Sequence, residues 1–150
     1  MAQTINFLTE NNITDYETLV EKTKAATDRY HELSQQIKGI EKRMAEITEL
    51  KKHIINYSKT KTVYTVYREF GYAAKFYSDN SQDIILHQLA KQAFNLLSPK
   101  KIPTMKNLQL EYKERLTMKN SLSADYKSAK SNMKQSVIIK NNVDLFIRAS

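Results

Sequence analysis

The chain has 150 residues, a formal net charge of +8 and a hydrophobic fraction of 41%, which suits one ordinary domain or a small domain carried on long paired helices. It contains no cysteine, so disulfides, zinc-finger chemistry and thiolate catalysis are excluded. Two glycines and two prolines are too few for the tight turns of an all-β protein. We therefore expect an all-α fold.

The first 13 residues predict a short amphipathic helix, with Ile5, Phe7 and Leu8 as its apolar positions. Thr14 and Glu17 have the spacing of a capping box, which predicts that a long helix begins there and covers residues 14–58. Apolar positions in this helix alternate in steps of three and four, a heptad pattern that indicates pairing with another helix. The positions are Thr23, Ala26, Tyr30, Leu33, Ile37, Ile40, Met44 and Ile47, continued by Lys51 and Ile54.

Residues 59–104 differ from the flanking segments in their pattern of apolar residues, and they predict a small helical insert. Its first helix is expected to end at Gly71 in the left-handed conformation, and its second to be capped by Ser78 or Ser81 and ended by Pro99. Thr104 is the predicted cap of a last long helix over residues 105–150, whose seam repeats the heptad spacing with more polar residues. The two long helices then form an antiparallel hairpin, a coiled coil with the insert at its tip. Their seams could also pair with a second copy in a homodimer.

The positive charge lies in the last two thirds of the sequence. Residues 1–58 carry 8 basic and 9 acidic side chains, residues 59–104 carry 7 and 3, and residues 105–150 carry 9 and 4. Such a field attracts polyanions, so nucleic acid, an acidic protein and an anionic membrane surface are the candidate partners. We do not expect membrane association, because the heptads already use the apolar faces.

Aromatic and basic residues are interleaved in the insert, a pattern that suits base stacking with phosphate contacts. The rings are Tyr64, Tyr67, Phe70, Tyr72, Phe76 and Tyr77, and the cations among them are Lys61, Arg68 and Lys75. A second basic group, Lys91, Lys100, Lys101 and Lys106, surrounds the turn into the last helix. We predict nucleic-acid binding by these seven cations. The alternatives are that the rings form the core of the insert and that the second group is an ordinary solvated helix end.

No catalytic or metal-binding pattern is present in the sequence. His31, His53 and His87 have no partner at metal-ligand spacing, so surface or capping roles are expected for them. The two isolated glycines cannot form a phosphate-binding loop. The N-terminus has neither the positive nor the apolar region of a signal peptide, so we expect none, and no stretch approaches the roughly 20 apolar residues of a membrane span. We expect no catalytic centre, no cofactor and no metal, and a cytoplasmic location.

Seven segments of the sequence carry a family resemblance: YREFGYAAKFY at 67–77, IILHQLAKQAF at 84–94, KKIPT at 100–104 and LQLEY at 108–112, with NFLTE at 6–10, IEKRMAEI at 40–47 and HIINYS at 53–58. Together they resemble the C-terminal region of relaxases, the mobilisation nucleases of conjugative and mobilisable elements, chiefly from Gram-positive gut bacteria, which implies a bacterial cell. The resemblance covers nearly the whole chain and consists of helix-packing patterns.

The resemblance implies a role in conjugative DNA transfer. The nicking activity of the family resides in an N-terminal domain with a tyrosine nucleophile and a histidine-bound metal, and nothing in this sequence matches it. The implied role is therefore that of an accessory region, with DNA contact at the transfer origin, assembly of the relaxosome or docking to the coupling machinery. The alternative from another class is a purely structural coiled-coil module for self-association or spacing.

Overall fold

A computed structural model describes all residues from 1 to 150. It contains five helices and no strand: α1 is Ala2–Glu10, α2 is Tyr16–Glu69, α3 is Ala74–Asp79, α4 is Ser81–Leu97 and α5 is Met105–Ala149. The predicted all-α fold is confirmed, with stretches of the long helices α2 and α5 packed antiparallel on each other. The chain forms two compact units, Met1–Gly39 with Met118–Ser150 and Ile40–Thr117. None of the helices is both long enough and apolar enough to cross a membrane.

Helix α2 is longer than the sequence indicates, because it continues past residue 58 and ends at Glu69. Residues 59–69, which were expected to lie in a separate helix of the insert, are its last three turns. No glycine or proline interrupts this stretch, and Tyr57, Thr60 and Tyr64 continue to make contacts with His87 of α4. The part of the chain between the two long helices therefore holds only α3 and α4.

The helix caps differ from the predictions at two of three starts. The start of α2 is capped by Asp15 rather than by Thr14: the backbone N–H of Thr18 donates to Asp15 Oδ1 at 2.7 Å, and the Thr18 hydroxyl donates to Oδ2 at 3.0 Å. A carboxylate one residue later fills the role expected of the threonine hydroxyl.

At the start of α4, Asn80 is the cap residue and no side chain makes a capping hydrogen bond, so neither Ser78 nor Ser81 caps this helix. The predicted cap of the last helix is confirmed, since the backbone N–H of Asn107 donates to Thr104 Oγ1 at 3.2 Å.

In the unit formed by the chain ends, α1 packs on α2 and α5 around Phe7, Ile13, Leu19 and Ile139. The Tyr16 hydroxyl donates to Asp144 Oδ1 at 2.6 Å. Farther along the same pair of helices, the rings of Tyr30 and Tyr126 lie 5.7 Å apart. Early residues of α2 thus meet late residues of α5, as an antiparallel pair requires.

In the unit from Ile40 to Thr117, α4 joins α2 and α5 and the core becomes a three-helix core. Its buried residues are Ile47, Leu50, Ala90, Phe94 and Leu108. The heptad seam predicts Ile47 but not Leu50, because a seam for one partner is narrower than the face that two partner helices cover. Leu50 is nevertheless fully buried.

An ion pair ties α2 to α5 beside this core. The guanidinium of Arg43 donates from Nε and Nη2 to the two carboxylate oxygens of Glu111 at 2.8 and 2.9 Å, and from Nη1 to the carbonyl oxygen of Leu97 at 3.0 Å. This bidentate contact lowers the pKa of the Glu111 carboxyl below its usual range. Arg43 therefore connects α2, the end of α4 and α5 at one point.

Candidate nucleic-acid interface

All seven cations predicted to bind nucleic acid are exposed and lie in the unit from Ile40 to Thr117. Lys61 and Arg68 are on α2, Lys75 on α3, Lys91 on α4, Lys100 and Lys101 in the turn after α4, and Lys106 in the first turn of α5. None forms a salt bridge with a carboxylate. Their charges are therefore available to an anionic partner.

The end of α2 is built around Gly71, which has a φ of +66° as predicted. The backbone N–H of Gly71 donates to the carbonyl oxygen of Arg68, and that of Tyr72 donates to the carbonyl oxygen of Tyr67. This pair of hydrogen bonds is a Schellman motif, and its usual apolar contact is present because the rings of Tyr67 and Tyr72 meet edge to face at 5.2 Å. Tyr72 itself has a φ of +60°, a strained conformation for a residue with a side chain.

This turn and the short helix α3 together present three rings to solvent. The exposed fractions of Phe70, Tyr72 and Tyr77 are 66%, 53% and 36%, whereas Tyr67 and Phe76 are half-buried beneath them. Aromatic contacts join the set, with Phe70 and Phe76 6.1 Å apart and Tyr67 and Tyr77 6.0 Å apart. The rings are thus only partly the core of the insert. We call Phe70, Tyr72 and Tyr77 with Arg68 and Lys75 the aromatic surface.

The inner part of the same region is a stack of three rings. The imidazole of His87 lies between Tyr57 at 4.5 Å and Tyr64 at 4.4 Å, with interplanar angles of 23° and 17°. Tyr57 and Tyr64 are two turns apart on one face of α2, which leaves space for a ring from α4 between them. The expectation of a surface or capping role is wrong for His87, because this residue is buried.

The hydrogen bonds of His87 define its tautomer. The Thr60 hydroxyl donates to the carbonyl oxygen of Asn56 at 2.7 Å and lies 3.0 Å from His87 Nδ1. A hydroxyl has one proton and two lone pairs, so the Thr60 oxygen accepts from a protonated Nδ1. The sequence offers no signal for this contact, since Thr60 and His87 are 27 positions apart.

Two of the predicted cations lie around this stack. The Lys91 ammonium lies over the ring of Tyr64, 4.8 Å from its centroid. Burial lowers the pKa of His87, and the positive charges of Lys91 and Lys61 lower it further, while a backbone hydrogen bond at Tyr57 acts in the opposite direction. This shift favours the neutral imidazole, and the positive charge of this region comes from the lysines.

This environment predicts a pH-dependent stability. The pKa of His87 is lower in the folded chain, so the unfolded chain binds the proton more readily. The free energy of unfolding therefore has its full value above the ordinary histidine pKa of about 6.5 and decreases as the pH falls below it. Replacing His87 by phenylalanine keeps a ring in the stack but removes the proton site, and we expect a smaller loss of stability between about pH 7.5 and about pH 5.5.

Urea denaturation followed by circular dichroism at several pH values measures this difference. His31 is an exposed histidine on α2, and the variant His31→Asn is the matched control, expected to keep the pH slope of the natural chain. Equal slopes for His87→Phe and the natural chain would show that the buried ring does not titrate as described.

Three members of the second basic group, Lys100, Lys101 and Lys106, follow α4 in the chain and lie over no aromatic ring. Lys100 and Lys101 follow the end of α4, where the Ser98 hydroxyl donates to the carbonyl oxygen of Lys101 at 3.0 Å, and Lys106 begins α5. Lys91 was assigned to this group, but its contact with Tyr64 places it beside the three-ring stack instead.

The region as a whole combines exposed aromatic rings with unpaired cations. It holds no group of three or more metal-ligating side chains. Such a surface can stack planar groups and attract phosphates. The sequence analysis identified the exposed rings and cations of this region but missed Tyr57, Thr60 and His87. These three residues form the inner stack with Tyr64, which in turn contacts Tyr67. No protein-family model, curated protein or solved structure matches this chain.

Proposed function

We propose that the chain is a non-catalytic accessory region of a conjugative relaxase that contacts DNA during mobilisation in the bacterial cytoplasm. The observation that carries the proposal is the aromatic surface, in which two exposed rings lie in the turn after α2 and a third on α3, with the unpaired cations Arg68 and Lys75 close to them in the sequence. The resemblance to relaxases supports the DNA partner. The proposal also includes the relaxosome and coupling proteins as partners, which would bind the other exposed lysines.

The geometry favours single-stranded over duplex DNA. Bases in a duplex are stacked on each other, whereas the bases of a single strand are free to stack on Phe70, Tyr72 and Tyr77. The cations beside the rings can hold the phosphates that link those bases. A strand at a transfer origin is exposed as a single strand when it is displaced, which suits an accessory region of this kind.

The charges are tested by the salt dependence of binding. Fluorescence anisotropy with a labelled single strand measures the affinity of the natural chain and of the double variant Arg68→Glu with Lys75→Glu at several salt concentrations. Each phosphate contact contributes about −0.7 to the slope of the logarithm of the binding constant against the logarithm of the salt concentration for a single strand. The variant loses two such contacts, so its slope is expected to be shallower by about 1.4. Its affinity should also fall at low salt.

The matched control is the double variant Lys38→Glu with Lys42→Glu, which makes the same change of net charge at two exposed lysines of α2. It is expected to bind nearly as the natural chain does. No binding at low salt, or equal losses in the two double variants, would contradict a DNA contact at the aromatic surface. The first of these results would favour the alternative, a structural module for self-association or spacing.

A further inference from the structure

Helix α4 has two apolar faces on opposite sides. Its inner face, which includes Ile84, His87, Ala90 and Phe94, is buried in the three-helix unit. Its outer face is formed by Ile85, Leu89, Gln92 and Leu96, spaced four, three and four residues apart. The exposed fractions of the three apolar residues are 42%, 47% and 80%. This outer face of α4 has the spacing of a helix-pairing seam and no helix of the chain on it.

The outer face is uncharged in a chain of net charge +8. The only acidic residue of α4 is Asp83 and its only lysine is Lys91, and at 100° per residue both fall on the inner side of the helix. Leu86, Gln88, Ala93 and Asn95 border the outer face and are uncharged too. Two copies can therefore bring these faces together without opposing like charges across them.

The two ends of α4 have opposite charge. Asp79 at the end of α3 precedes α4, and Asp83 lies in its first turn on the inner side, whereas Lys100 and Lys101 follow its end. In an antiparallel pair of α4 helices, the acidic start of each helix meets the basic end of the other. A parallel pair would place the four lysines together. The antiparallel helix dipoles add to the same preference.

We propose that the outer face of α4 is a self-association surface, on which the α4 helix of a second copy of this chain packs antiparallel about a twofold axis between residues 90 and 91. This register places Ile85 opposite Leu96 of the second copy, and Leu89 opposite Gln92. The face is thus complementary to itself, as an isologous interface must be. The inference does not rest on the proposed DNA contact, which uses the end of α2, the turn after it and α3.

The interface predicts a weak dimer. One helix pair with three apolar side chains from each copy lies below the roughly 1,200 Å² of total buried area that marks the lower end of stable interfaces. We therefore expect a monomer–dimer equilibrium that shifts with concentration. The heptad seams of α2 and α5 are occupied within the chain and do not contribute.

Sedimentation velocity over a wide concentration range tests the association. The double variant Leu89→Glu with Leu96→Glu is expected to remain monomeric at every concentration at which the natural chain dimerises. The control is Leu110→Glu, an exposed leucine of α5 in the same unit, which should dimerise as the natural chain does. A natural chain that is monomeric throughout, or a dimer unaffected by the double variant, would overturn the proposal.

The register is tested by disulfide trapping. The chain has no cysteine of its own, so only the introduced cysteines can form disulfides. A chain with Ile85→Cys and a chain with Leu96→Cys are oxidised separately and as a mixture. The antiparallel register predicts a covalent dimer of the two different chains in the mixture and little of either like pair. Like pairs in the separate samples without the mixed product would overturn the antiparallel arrangement, even if sedimentation shows a dimer.

Discussion

Replacing Phe70, Tyr72 and Tyr77 together by alanine is expected to weaken the binding of single-stranded DNA by about 100-fold or more. Stacking of a base on an aromatic ring contributes about 1–3 kcal/mol, and three rings are lost at once. All three side chains are exposed, so their removal leaves the buried core intact. Fluorescence anisotropy of a labelled single strand measures the loss, and circular dichroism verifies that the helix content is unchanged.

Two controls separate stacking from a general loss of structure. Phe146→Ala removes an exposed ring of α5 in the other unit and is expected to leave the affinity unchanged. Tyr72→Phe keeps a ring at the strained turn and should bind nearly as well as the natural chain. An unchanged affinity in the triple variant would show that any DNA contact is purely electrostatic, and the aromatic surface would lose its assigned role.

Replacing Leu50 by alanine is expected to lower the free energy of unfolding by about 3 kcal/mol, within the range of about 2–5 kcal/mol for buried leucines. Leu50 is fully buried between α2 and the helices α4 and α5, in the cluster that contains Ile47, Ala90 and Phe94. Removing its side chain leaves a cavity where three helices meet, and rigid helices cannot close such a cavity fully.

Urea denaturation followed by circular dichroism measures this change. The control is Leu110→Ala, which truncates an exposed leucine of α5 and is expected to change the free energy of unfolding by less than about 0.5 kcal/mol. A similar small effect of Leu50→Ala would contradict the three-helix core, because a leucine at the edge of a two-helix seam would tolerate truncation.

The local signals of the sequence predicted the ends of several helices correctly. Gly71 adopts the left-handed conformation, α4 ends before Pro99, and Thr104 caps α5. Each of these depends on the residue itself, since glycine adopts a positive φ without strain, proline fixes φ and lacks an N–H, and a threonine hydroxyl accepts from the first backbone N–H groups of a helix. The cap of α2 was assigned one residue too early, because Thr14 and Asp15 are both good caps and the sequence does not rank them.

The features that were missed depend on contacts between distant residues. Helix α2 extends to Glu69 because α4 packs along its last turns. The heptad pattern of α2 does not indicate that α4 packs there. His87 was expected at the surface because an isolated histidine gives no sign of the tyrosines that surround it. The exposed rings and cations of the candidate site were identified from the interleaving of aromatic and basic residues in the sequence, whereas their division into an outer surface and an inner stack required the fold.

Photo-cross-linking of a single strand that carries a photoreactive base tests the central claim most directly. After irradiation at low salt and proteolysis, mass spectrometry identifies the peptide attached to the base. The account predicts attachment within residues 70–77, which contain all three exposed rings, and its loss in the triple alanine variant. Attachment confined to the helix α5, or none at a concentration where the strand is bound, would contradict stacking on the aromatic surface.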